Sequence, residues 1–131
     1  MLTDLEKNAI RDHYQNIGKN LPGFRPRASQ REMIAAIANA FSRTLTREEG
    51  EEAPKREGES IAVIEGPTGV GKSLAYLLAG GIMAQTRGKR LIVSSATVAL
   101  QEQLVDRDLP FLVEKSGLEL TFAPVSYTHL R

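Results

Sequence analysis

The chain has no cysteine and no tryptophan, and aromatic residues make up only 5% of its 131 positions. Without cysteine it can form neither disulfides nor thiolate-ligated zinc or iron–sulfur centres. Long apolar runs are also missing. The longest, residues 74–84, contains Gly80 and Gly81 and is too short to span a bilayer. The first residues, Met1-Leu-Thr-Asp-Leu-Glu, lack a basic segment followed by an apolar one, so they do not read as a secretory signal. A soluble cytoplasmic protein without membrane contacts is expected. Charge of one sign is lacking too. The formal net charge is +1, which by itself is no mark of a nucleic-acid partner. The distribution is uneven: residues 47–59 hold six Glu against Arg47, Lys55 and Arg56, a local −3 that leaves +4 for the rest.

The length allows one domain with a real core. Thr3-Asp-Leu-Glu6 has capping-box spacing and opens a first helix, in which Ile10, Tyr14, Ile17 and Leu21 recur at helical intervals. Leu21-Pro-Gly23 ends it. Pro26 holds Arg25 in an extended conformation. Ser29-x-x-Glu32 then reads as a second capping box, followed by an apolar face of Met33, Ile34, Ile37, Ala38 and Phe41. Residues 46–60 have no apolar period and contain Gly50, Pro54 and Gly58, the pattern of a surface loop.

The pattern changes at Ser60. Ile61-Ala-Val-Ile64, Arg90-Leu-Ile-Val-Ser94 and the run 118–122 are short apolar segments of the kind buried in parallel sheets. Helices are expected between them, over about 72–85, over about 97–105, and from Asp108-Leu-Pro110 to about Ser116-Gly117. Alternating strands and helices imply an α/β fold with a parallel sheet, preceded by the two N-terminal helices. The expected organisation is therefore an N-terminal helical part at 1–45, a charged loop at 46–60, a sheet-forming part at 61–123, and a tail at 124–131.

Gly66-Pro-Thr-Gly-Val-Gly-Lys-Ser73 fits G-x-x-x-x-G-K-[ST] at every fixed position, between an apolar run and a helix. A triphosphate concentrates negative charge, and the backbone of Gly66, Pro67, Thr68, Gly69, Val70 and Gly71 would wrap around it, with the N–H groups of every residue but Pro67 pointing inward. The helix that follows turns its free N–H groups and positive dipole end toward the phosphates. Lys72 would reach the β and γ phosphates, and the Ser73 hydroxyl would join the shell of Mg²⁺. The residues thus point to ATP and Mg²⁺ as ligands.

Phosphate loops serve many enzymes, and the flanks narrow the choice. Phe24, Arg27 and Gln30 stand at three-residue intervals ahead of the loop and resemble the Q-motif of superfamily 2 helicases. Val93-Ser-Ser-Ala-Thr-Val-Ala-Leu-Gln-Glu-Gln103 resembles motif Ia of the same enzymes. Together with the loop, the chain from Leu5 to Ala123 is similar to the N-terminal part of DinG-type ATP-dependent DNA helicases, in the iron–sulfur XPD-like branch. That resemblance implies part of a RecA-like motor domain and a role in DNA repair or recombination. It implies that Gln30 reads adenine with support from Phe24 and Arg27, and that Thr97 and Gln101, on one helix face, touch single-stranded DNA. The family's 4Fe–4S cluster has no ligands here, and no Asp-Glu-x-His box is present. The chain on its own is thus expected to be a monomer that does not hydrolyse ATP. Ser126-Tyr-Thr-His-Leu130 resembles a translated adapter sequence, so the tail from Pro124 is expected to be non-native. A nucleotide- or strand-binding module without motor activity, and a small-molecule kinase built on the same loop, are alternative readings.

Overall fold

The computed structural model describes residues 1–43, 61–66 and 71–125. The charged loop, the centre of the phosphate-loop sequence and the last six residues lie outside them, and with them most of the expectations for 46–60 and for the tail.

Helix α1 spans Asp4–Asn20 and starts as its sequence dictates: the Thr3 hydroxyl accepts from the Glu6 N–H, and the Glu6 carboxylate accepts from the Thr3 N–H. It stops at Leu21, and Gly23 turns the chain with φ 81°. Helix α2 spans Ala28–Ser42. The capping box expected at Ser29 does not form. Arg27 is the N-cap, without a side-chain cap bond, and Ser29 already sits inside the first turn. Pro26 explains the early start: its fixed φ delivers the chain to helical geometry immediately after Arg27, before Ser29 has a cap to make. Met33, Ile34 and Ala38 are buried, as their spacing requires.

Helix α3, Lys72–Thr86, is the centre of the molecule. Seven consecutive residues, Leu77 to Met83, are buried, so this helix has no solvent face over two turns. It packs most extensively against α2 and is also met by α1 and α5 (Leu109–Ser116). One core joins Tyr14 and Ile17 of α1, Met33 and Ile34 of α2, Leu78 and Ile82 of α3, and Leu112 of α5. Gly80 and Gly81 allow close approach: a Cβ at 80 would come within 2.9 Å of Leu91, and one at 81 within 3.1 Å of Leu120.

Helix α4 (Val98–Gln103) and α5 were expected as separate helices. They are joined instead by one π-helical turn, Leu104–Asp108, in which the Leu109 N–H reaches back five residues to the Leu104 carbonyl. Pro110 supplies the reason. It has no N–H for an α-helical bond and its ring crowds the preceding turn, so the wider turn ahead of it lets the chain remain helical. Gly117 ends α5 with φ 73°. His13, Asn16 and Asn20 of α1 then cover the α5 terminus. His13 Nδ1 donates to the Ser116 carbonyl at 2.8 Å, Asn16 to the same oxygen at 3.1 Å, and Asn20 to the Lys115 carbonyl at 2.9 Å. These donors satisfy carbonyls that the helix end would otherwise orphan.

The α/β fold class is overturned. Among the described residues there is no strand and no sheet; every regular element is helical. The three apolar runs at 61–64, 90–94 and 118–122 carry no pairing ladder. Ile61, Val63 and Ile92 are 68%, 96% and 89% exposed. The runs are used differently: Leu118 and Leu120 lie against Gly81, and Leu91 lies against Gly80, each segment giving α3 its apolar side chains without pairing to the next. The sequence signal read as a strand reports fitness for a pleated, covered surface rather than a backbone preference of its own. Where no neighbouring ladder supplies that surface, the β-branched residues stay unpaired, and burial comes from helix packing and from the leucines these runs lay on α3.

Candidate nucleotide-binding site

Of the phosphate-loop sequence, Gly66 and Gly71–Ser73 are described; Pro67, Thr68, Gly69 and Val70 are not. Gly71 is the N-cap of α3 in the left-handed region, φ 75° and ψ 51°, a conformation glycine adopts without strain. No side chain caps the helix there, and its first intrahelical bond runs from the Ala75 N–H to the Gly71 carbonyl. The opening N–H groups of a 15-residue helix, with its dipole, therefore stand free at Gly71. Lys72 is exposed and Ser73 half-buried at the first two helical positions. Glu65, ahead of the loop, is exposed.

Gln30 lies against this helix start. It is 4% exposed, and its Nε2 donates to the Gly71 carbonyl at 3.2 Å. Its Oε1 accepts from the Tyr14 hydroxyl at 2.5 Å. Phe24 is half-buried and meets Tyr14 edge to face, with ring centroids 5.7 Å apart at 79°. Arg27 is exposed at the start of α2, and its backbone lies by the Tyr14 phenol. Burial raises the Tyr14 pKa above the ordinary phenol value, opposed by the Arg27 backbone and the charge of Arg31. The structure thus brings Phe24, Gln30 and Gly71 into one network. The member that spacing missed is Tyr14, read in the sequence only as an apolar position of α1. A buried phenol needs a hydrogen-bond partner, and that requirement is the one signal that could have singled it out.

Thr97 and Gln101 lie away from this network, at the start of α4. Thr97 is the N-cap, its hydroxyl accepting from the Leu100 N–H at 3.2 Å. Gln101 Nε2 donates to the Val125 carbonyl at 3.2 Å. The Gln101 N–H bonds to the Thr97 carbonyl, so the two residues do stand one turn apart.

The groups present suit a triphosphate with its cation: an uncapped helix start, an exposed ammonium beside it, and a hydroxyl one position further on. They do not suit an iron–sulfur cluster, since the chain has no thiol. Among the described residues, no group of three or more His, Asp or Glu stands together to hold a metal unaided. Nor is any helix among them long and apolar enough to cross a membrane.

No protein-family model matches the chain. Individual proteins do. One from Photobacterium profundum is 43% identical over 122 residues, which is 93% of this chain and 16% of that protein. One from Salmonella choleraesuis is 44% identical over 111 residues, 85% of this chain and 14% of its own length. One from Escherichia coli is 43% identical over the same length and shares. All three are ATP-dependent DNA helicases by name. Within that class each is called DinG, and the chain is homologous to one segment of these much longer DinG proteins, spanning about a sixth of their length. The DinG-type resemblance read from the three motifs is borne out.

Proposed function

We propose that this chain is the nucleotide-binding segment of an ATP-dependent DNA helicase, in which loop 66–73 holds the triphosphate, Gln30 reads the adenine, and Thr97 with Gln101 contacts single-stranded DNA. The observation that carries the reading is the hydrogen bond from Gln30 to Gly71. It joins the residue suited to a base edge with the residue that precedes Lys72. A carboxamide donates and accepts, which matches the N6 and N7 edge of adenine and mismatches the two acceptors on guanine. Phe24 and Arg27 support the pocket through Tyr14, whose ring Phe24 packs against and whose phenol lies by the Arg27 backbone. The Lys72 ammonium neutralises charge on the β and γ phosphates, and the uncapped N–H groups of α3 hold their oxygens. The Ser73 hydroxyl would be a ligand of Mg²⁺, which supplies further charge neutralisation when bound with ATP. Turnover is phosphoryl transfer to water, in which positioning and charge stabilisation dominate. Coupled to it, in the full-length protein, is strand separation in DNA repair or recombination.

Two measurements test this. In the full-length helicase, Gln30→Ala should lower the preference for ATP over GTP by about tenfold, the loss of two hydrogen bonds of modest strength. Competition of both nucleotides against a fluorescent analogue gives the ratio, and an unchanged ratio would reduce Gln30 to a helix residue. Thr97→Ala combined with Gln101→Ala should weaken single-strand binding by about tenfold while leaving ATP affinity intact. The Thr97 hydroxyl accepts as an N-cap but keeps its own hydrogen for a phosphate. Wild-type binding should fall with salt as counterions are released, and the double variant should show a shallower slope. Loss of ATP and DNA binding together would indicate misfolding and refute the assignment.

A further inference from the structure

We propose that Tyr14 is a specificity-determining positioning residue: its hydroxyl, with the Gly71 carbonyl, fixes which way round the Gln30 amide faces a base. This rests on the reading of Gln30 as the adenine-contacting group.

An amide that reads a base must not flip. Rotation by 180° exchanges its oxygen and its NH₂ and so exchanges the edge it recognises. The Gly71 carbonyl opposes that exchange, and the Tyr14 hydroxyl holds the oxygen end of the amide in place. The Gly71 carbonyl only accepts, so it demands Nε2, which stands 3.2 Å away. The Tyr14 hydroxyl donates to Oε1 on the other side. Turned over, the amide would set its oxygen against the Gly71 carbonyl, two acceptors in a site where Gln30 is 4% exposed and water is scarce. A carboxamide has two N–H donors and two acceptor lone pairs. Tyr14 and Gly71 use one of each. The carboxamide's second donor and second acceptor are the pair an adenine edge requires.

Tyr14 is itself held. It is buried in the core beside Ile17 and Met33, and Phe24 packs edge to face against its ring. Its hydroxyl therefore has little freedom to follow a moving amide. Gly71 is constrained as well: a Cβ there would collide with the Gln30 amide nitrogen, and its positive φ disfavours any other residue. The same carbonyl that orients Gln30 begins the α3 hydrogen-bond ladder, so the amide is tied to the start of that helix.

The test is Tyr14→Phe in the full-length helicase, which keeps the ring and its packing and removes only the hydroxyl. ATP and GTP compete against a fluorescent analogue, and inorganic tripolyphosphate is titrated in parallel as a probe with no base. The preference for ATP should fall about three- to tenfold, the worth of one such hydrogen bond. Tripolyphosphate affinity should be unchanged. Tyr14→Phe should add nothing in a Gln30→Ala background, because both act through one amide. An unchanged ATP preference in Tyr14→Phe, alongside a lowered one in Gln30→Ala, overturns the proposal and leaves the Gln30 reading standing. An unchanged preference in Gln30→Ala overturns the Gln30 reading itself. An equal loss of ATP, GTP and tripolyphosphate binding makes Tyr14 a support of the loop and also overturns the proposal.

Discussion

Lys72→Ala in the full-length helicase is expected to weaken ATP binding by at least about a hundredfold and to remove ATPase and unwinding activity with it. Lys72 is the first residue of α3, directly after the left-handed Gly71. Its exposed ammonium stands at the end of the helix where N–H groups lack intrahelical partners. A phosphate placed there meets two kinds of donor. The backbone donors survive the substitution; the Lys72 charge does not. Hydrogen bonds to charged groups contribute about 1.5–3 kcal/mol each, and an ammonium reaching both the β and γ phosphates makes at least two. That gives about two to four decades in affinity. Lys72→Arg keeps the charge but exchanges a compact ammonium for a planar fork, so partial recovery of binding with poor turnover is expected. Titration of a fluorescent ATP analogue, followed by phosphate release with saturating single-stranded DNA, checks both. Equal affinities for wild type and Lys72→Ala would remove the loop from the nucleotide site. So would a parallel loss of thermal stability, since an exposed side chain at a helix start has no packing role to lose.

The parts of this molecule that were legible in the sequence are those specified locally. The α1 start followed from four adjacent residues, since Thr3 and Glu6 satisfy each other's backbone donors whatever the rest of the chain does. The termination at Gly23 and Gly117 was equally local. The phosphate-loop sequence was recognisable because its chemistry fixes residue types at fixed intervals. Sheet formation is not of that kind. Ile61, Val63 and Ile92 have the character of strand residues, yet a strand exists only when another backbone pairs with it, and no single run encodes its partner. Here α3 takes Leu91, Leu118 and Leu120 against Gly80 and Gly81, and the rest of each run stays unpaired. The joined α4 and α5 teach a related point. Pro110 announced a helix boundary, but a π turn absorbs its missing donor with less disruption than a break. Long-range polar contacts were least legible. Tyr14 meets Gln30 across 16 residues, and His13 meets Ser116 across 103. Each is a demand for a partner that sequence can state but cannot address.

A further long-range contact is the ion pair of Glu6 with Arg87, 81 residues apart, and breaking it is expected to have the largest effect on folding. Glu6 began as the second half of a capping box, accepting from Thr3. Its carboxylate also accepts from Arg87 Nε at 2.8 Å and Nη2 at 3.2 Å, and from the Thr86 hydroxyl at 3.1 Å. Arg87 in turn donates to the Ser42 and Met1 carbonyls, both at 3.2 Å. One carboxylate and one guanidinium thereby pin the α1 start, the α2 end and the α3 end together. Glu6 is buried, so an unpaired charge there is costly, while Arg87 keeps 29% of its side chain in contact with solvent. Truncating a partner of a fully buried pair costs about 3–5 kcal/mol; partial exposure of Arg87 moves the expectation for Arg87→Met to about 2–3 kcal/mol near neutral pH. Methionine retains the packing of the arginine stem, so the loss reports charge and hydrogen bonds.

The pH dependence has a definite sign. The Arg87 guanidinium, foremost, and the bonds from Thr3 and Thr86 hold the Glu6 carboxyl down at about 2 against an ordinary 4.5, with burial opposing them. A depressed acid contributes stability that is present in full above its unfolded value and is lost as pH falls through its folded value. The advantage of wild type over Arg87→Met should therefore be constant from neutral pH to about 5, shrink below 4.5, and be nearly gone at about pH 2. Without the guanidinium the carboxyl of the variant loses the largest influence holding it down and protonates at higher pH than in wild type, which is what closes the gap. Chemical denaturation of both proteins at a series of pH values measures it. A stability difference that stays constant from neutral pH down to about pH 2 would mean that Arg87 acts through its stem and its bonds to Ser42 and Met1, and that the charge of Glu6 holds nothing in place.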